Sequence, residues 1–262
     1  MGVVGAVEPG SKVMYVSPQG DDNNNGLTPE TPKRNIQSAV YALHCNGKVF
    51  ISSGRYNENL MIPKRSNIEL VGADKSNTII DGQDKDICID IYRDSVVSIQ
   101  NLMITHGNAY TDNVDDMGEL GSGGGVDAGD SDVTIKNCII TQNKANSGGG
   151  IFNYGGSVMH IENTVISKNT ADCWGIDNEG TLIIKDFIIT ENIVKEDGGG
   201  IVNDGSLTLL YSSVTKNKAH RGGGIYNTNN VNILNIRNSK VVDNISEEGN
   251  ANIYTYEDDD NN

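Results

Sequence analysis

Aromatic residues make up only 5% of this 262-residue chain, and hydrophobic residues only 36%. That is too little apolar surface for a thick two-layer core, and it suits a narrow one. Cations are also scarce: 20 Lys and Arg stand against 35 Asp and Glu, a net charge of −15. Such a balance argues against nucleic acid and anionic membrane surfaces as partners. No apolar run approaches the length of a membrane span. The opening Met1-Gly-Val-Val-Gly-Ala-Val lacks the basic start and the length of a signal peptide, and reads as a remnant of one or as an arbitrary start. Cys45, Cys88, Cys138 and Cys173 form no Cys-x-x-Cys pair, which argues against zinc. They read as buried free thiols, with disulfides as the alternative.

Glycine, in contrast, is abundant and ordered. Gly-Gly-Gly followed by an aliphatic residue occurs at Gly123 to Val126, Gly148 to Ile151, Gly198 to Ile201 and Gly222 to Ile225. Cys173-Trp174-Gly175-Ile176 is a degenerate copy, with Trp174 expected at the middle glycine. The aliphatic positions 126, 151, 176, 201 and 225 are 25, 25, 25 and 24 residues apart. A fixed period in this range marks a solenoid of stacked repeats.

A second signature places an aliphatic residue three before an asparagine: Ile140 to Asn143, Ile166 to Asn169, Ile189 to Asn192, Val214 to Asn217 and Val241 to Asn244. Alternating segments such as Val133-Thr-Ile135-Lys and Leu207-Thr-Leu209-Leu precede it. Apolar residues at every second position make strands with one buried face. About three short strands per repeat, joined by tight turns, form one coil of a right-handed parallel β-helix. Equivalent positions of successive coils then stack at roughly 4.8 Å. Two asparagine ladders are expected, one from Asn143, Asn169, Asn192, Asn217 and Asn244 and one from Asn153, Asn178, Asn203 and Asn227.

The paired Gly-Gly-Gly-Ile and Ile-x-x-Asn motifs, over residues 87 to 253, resemble the repeats of chlamydial polymorphic outer-membrane proteins. Gly stands here for their Ala, and Ile or Val for their Phe. They are also similar to the β-helix repeats of adhesin-like surface proteins of methanogens. Residues 14 to 82 resemble the opening of secreted pectate-lyase-like β-helix proteins, in which a short helix caps the solenoid. The stripe Ile36, Ala39, Val40, Leu43 places that helix at about 33–44. The expected organisation is a disordered or extended segment 1–13, one β-helix domain 14–255 and an acidic tail 256–262. Within the domain, 14–48 form the cap, 49–122 irregular coils and 123–253 regular repeats.

Candidate chemistry is sparse. Asp21-Asp-Asn23-Asn-Asn25-Gly26 matches half of a calcium loop, but Pro32 stands where the bidentate Glu belongs. An insertion at 106–122 carries Asp112, Asp115, Asp116 and Glu119, candidate ligands for calcium, which is the one cofactor the residues suggest. Asp172, Asp197, Arg221 and Glu248 align before the glycine turns, with Glu196 and His220 beside them, and read as a surface ion-pair ladder. Trp174, Phe152, Tyr154 and Tyr226, with Arg221 and His220, are candidate glycan contacts. No catalytic residue stands out. Lys136, Glu162, Lys185 and Arg237 alternate in sign along an outward column, and no base sits beside a cation cluster. No turnover of uronic-acid polymers is therefore expected. The sequence favours an extracellular, adhesin-like, non-catalytic module that binds glycans or cell-surface proteins and belongs to a larger polypeptide or assembly. The alternatives are a polysaccharide lyase or glycoside hydrolase on the same fold, and a structural spacer.

Overall fold

The computed structural model describes residues 12–111, 121–229 and 232–256. The chain winds into a right-handed parallel β-helix of about 7 turns, with about 26 residues per turn and almost no helix. In one regular coil Val126–Ala128 leads to Asp132–Lys136, then Ile139–Thr141, then Lys144–Ser147, and Ile151–Asn153 opens the next coil. Stacking makes four parallel sheets. The first runs from Lys12–Val16 to Ile233–Arg237 and holds most of the long strands. The second runs from Gly54–Tyr56 to Lys240–Val242, the third from Asn108–Ala109 to Ile245–Glu248, and the fourth from Leu60–Ile62 to Ile253–Thr255.

Each regular coil thus has four strands, not the three expected. The missed strand is that of the third sheet. It buries only one small residue per coil, such as Ala145, Ala171, Val194 or Ala219, too little to leave a period in the sequence. The first strand also begins at Lys12, ahead of the residue-14 boundary.

Three left-handed corners close a regular coil. The first is at Asn137 and Asn163 (φ 51 and 50), the second at Gln142 and Lys168 (φ 59 and 58), the third at Gly148, Gly198 and Gly222 (φ 60, 65 and 55). Asparagine tolerates this conformation and glycine adopts it freely. Between corners, inward residues such as Val133, Ile135, Ile140 and Ile151 are fully buried and stack with their counterparts in one continuous core.

Two columns of buried asparagine run the length of the regular coils. The Asn143 backbone amide donates to Asn169 Oδ1 (2.9 Å), and the Asn169, Asn192 and Asn217 amides repeat the contact to the next asparagine at 2.9 to 3.0 Å. In the other column Asn153 Nδ2 donates to Asn178 Oδ1 (2.7 Å), Asn178 to Asn203 (2.8 Å) and Asn203 to Asn227 (2.7 Å).

Helix α1 (Ile36–Ala42) closes the N-terminal end, shorter than the expected 33–44. Glu58 accepts from the Ile36 and Gln37 amides at its start. Burial pushes the Glu58 carboxyl above its usual range, opposed by those two hydrogen bonds. The half calcium loop before α1 is an Asx turn. Lys33 Nζ donates to the carbonyls of Asp22 and Asn24 (3.0 and 2.9 Å), so an ammonium holds the centre of the loop. The four cysteines are free thiols. Among the described residues, no helix is long and apolar enough to cross a membrane.

Candidate functional site

Strands of the fourth sheet are three residues long, and their first and third side chains point into the solenoid. The middle side chain must then point out. Register places Met61, Asp90, Asp127, Phe152, Asp177, Val202, Tyr226 and Tyr254 in one outward column, one per coil.

Part of this outward column is nevertheless buried, because the glycine corner folds over it. A Cβ added at Gly148 would lie 3.2 Å from Phe152 Cβ, and one at Gly198 only 2.2 Å from Val202 Cγ2. Phe152, Asp177 and Val202 are 3%, 0% and 1% exposed. Trp174 adopts the same left-handed corner (φ 62), and its carbonyl accepts from the Gly149 amide. It therefore replaces the first glycine, not the middle one. The degenerate copy is one residue short: Ser147 pairs with Cys173 and Ile151 with Ile176.

Asp90 and Asp127 are directly opposed on adjacent strands, both half-buried. Burial, reinforced by the charge of Asp86, pushes the Asp90 carboxyl up to about 6, and a hydrogen bond with Tyr92 holds it from rising further. Such a group keeps its proton at mildly acidic pH beside a second carboxylate. That is how one acid and one base are kept apart in a single site. Further along the column, Asp177 accepts from Ser147 Oγ (3.2 Å).

At the far end the Tyr226 and Tyr254 rings stack, with centroids 5.3 Å apart and planes at 11°. The Arg221 guanidinium lies 5.2 and 5.7 Å from the two centroids. Asp197 holds it through two hydrogen bonds (3.0 and 2.6 Å), which raise the guanidinium further above its usual range. Of the candidate glycan contacts, Phe152, Tyr226 and Arg221 thus share this face. Tyr154 packs against Phe152 (5.8 Å). His220 lies within 3.5 Å of the Glu247 and Glu248 carboxylates.

The expected ion-pair column needs one correction. Arg221 forms its ion pair with Asp197, whereas Glu248 shares its register but turns its carboxylate to His220, and Cys173, not Asp172, aligns with Ser147. The missing corner residue shifts the frame there. Asp172 instead pairs with Lys195 and accepts from the Tyr110 hydroxyl (2.9 Å). Lys195 holds the Asp172 carboxyl below its usual range. Asp112, Asp115, Asp116 and Glu119 lie outside the described residues. Among the described residues, no three His, Cys, Asp or Glu side chains gather to hold a metal ion.

The sequence analysis did not single out Asp90, Asp127 and Asp177, although a signal was present. Each directly follows the first aliphatic residue of its strand, in Ile89-Asp90, Val126-Asp127 and Ile176-Asp177.

No protein-family model matches the chain, and no curated protein matches it in sequence. Solved structures do match in shape. The pectin methylesterase from Aspergillus niger superposes with a TM-score of 0.53 at 13% identity, over 96% of this chain and 86% of that one. A pectin methylesterase in complex with a hexasaccharide gives 0.53 at 14% identity, over 93% and 80%. Pectin methylesterase PemA from Erwinia chrysanthemi gives 0.50 at 15%, over 81% of this chain and 65% of that one. At these identities the likeness is one of fold alone.

Proposed function

We propose that this protein is a carbohydrate-active hydrolase that takes a glycan at the uncovered end of the fourth sheet's outer face, beside Met61, with Asp90 and Asp127 as its acid–base pair. The observation that carries the reading is their opposition in register together with the raised Asp90 carboxyl. In this reading ionised Asp127 attacks the scissile carbon or activates water for the attack. Protonated Asp90 gives its proton to the departing oxygen. The shape match to pectin methylesterases favours a methyl-esterified uronan as the polymer and the ester as the bond. A glycan of that kind is met outside the cell, where we place the protein. The reading departs from the non-catalytic expectation because that expectation found no carboxylate pair.

Methanol and reducing-end release from methyl-esterified pectin test the reading together. Asp90→Asn and Asp127→Asn should each lower turnover by about 100-fold or more while the protein stays folded. Turnover should also fall as pH rises through about 6, where Asp90 loses its proton. Absence of turnover, or turnover indifferent to both substitutions, would refute it.

The stacked Tyr226, Tyr254 and Arg221 favour a second reading, a non-catalytic glycan contact of the adhesin-like kind. Glycan binding lost in Tyr254→Ala, the more accessible ring of the stack, without turnover in the parent protein, would select it.

A further inference from the structure

The outer face of the first sheet carries a groove of about 410 Å³ that the proposed reaction does not use. It extends over six successive strands, from Asn67–Gly72 to Ser206–Leu210, a run of about 24 Å at the usual strand spacing. Its size falls in the range of ligand sites. Three outward columns build it. The central one places Glu69, Ser98, Thr134, His160 and Ile183 side by side, one per coil.

The charges of this face are largely spent on each other. Lys48 pairs with Glu69 (2.6 Å), and Glu162 bridges Lys136 (3.6 Å) and Lys185 (3.3 Å). Asp186 also lies 3.5 Å from Lys185, and Asp132 adds one more carboxylate to the lining. A charged ligand would find little net field to draw it. The floor is different. Thr134 and His160 are adjacent in register and half-buried. Neither makes a side-chain hydrogen bond or ion pair among the described residues. Donor and acceptor groups are therefore held ready at mid-groove, and Val96, Val158 and Ile183 present aliphatic surface around them.

Hydrogen-bonding groups in a row, aliphatic patches beside them and compensated charge match the chemistry of an uncharged sugar chain. We infer that the first-sheet groove is a second glycan site, which holds a neutral oligosaccharide along the solenoid axis. It rests on none of the residues assigned to hydrolysis. A two-site molecule of this kind would keep hold of a composite polymer at its neutral stretches while the fourth sheet worked on another part.

The test is titration of the full chain with neutral hexasaccharides of the cello-, xylo-, manno- and galacto- series, and with hexagalacturonate as the charged control. Backbone and side-chain NMR shifts report the location. At least one neutral hexasaccharide should bind with perturbations centred on Thr134 and His160, and His160→Ala and Thr134→Trp should each weaken it at least tenfold. Asp90→Asn should leave that affinity unchanged, so loss of hydrolysis and loss of this site are read separately. Thermal melting of both groove variants should match the parent, since the residues lie on the outer face. The inference fails if no neutral hexasaccharide binds, if binding ignores both groove substitutions, or if only hexagalacturonate shifts these residues.

Discussion

At the scale of single residues, buried polar side chains are the most constrained part of the molecule. Asn178 receives from Asn153 Nδ2 and donates to Asn203 Oδ1 and to the Ser206 carbonyl. Asn178→Leu leaves partners on both sides unsatisfied in a site that excludes water. It should cost about 1–3 kcal/mol, read as a lower urea midpoint with an unchanged slope. Asp90 acts in the opposite sense. Its folded carboxyl is raised to about 6, so the native state holds a proton that the unfolded chain releases near 4. The stability this lends is present at low pH and is lost as pH rises from about 4 through about 6. Asp90→Asn should flatten the melting temperature against pH in that window and stabilise the protein above it, on the order of 1–2 kcal/mol. An unaltered pH profile would mean that Asp90 is not the raised group.

At the scale of elements, the corners decide more than the strands. A Cβ at Gly199 would lie 2.6 Å from the Gly223 carbonyl oxygen and 2.7 Å from that of Lys218, both backbone atoms of the next coil. Neither can move without parting two coils. Gly155, on the opposite turn of the coil, has only the tip of Glu179 within reach, at 3.9 Å. Gly199→Ala should therefore destabilise by at least about 1–3 kcal/mol, and Gly155→Ala should be neutral or slightly stabilising. Equal effects in denaturant titrations would contradict the close approach. The third-corner glycines were legible in the sequence as Gly at a fixed offset, because a left-handed turn is a local backbone demand, whereas the first corner was not, since Asn137 and Asn163 give way to Asp186 and Tyr211 in the following coils. The third-sheet strands were not legible. Hydrogen bonds to neighbouring coils hold them in place, with a single small residue buried in each.

At the scale of the whole molecule, each coil touches little beyond its two neighbours, so stability is close to a sum over coils. Deleting residues 151–175 would join Gly150 to Ile176 and rebuild a glycine turn before an aliphatic residue. That variant should keep the β-type circular dichroism and a cooperative, lower melting transition. Deleting only residues 151–162 would put strands of one sheet opposite corners of another, and should abolish the transition. If both deletions behave alike, the coil is not the folding unit. The sequence by itself determined the solenoid, its period and its helical cap. Those features follow from side-chain alternation and backbone conformation, which are properties of neighbouring residues. Only the tertiary structure decided that Asp90 faces Asp127 across an insertion, that Trp174 takes the third corner of a shortened coil, and that Arg221 lies over two stacked tyrosines. These contacts depend on how coils of unequal length are brought into register. Register is set by hydrogen bonding between coils, which no local pattern records.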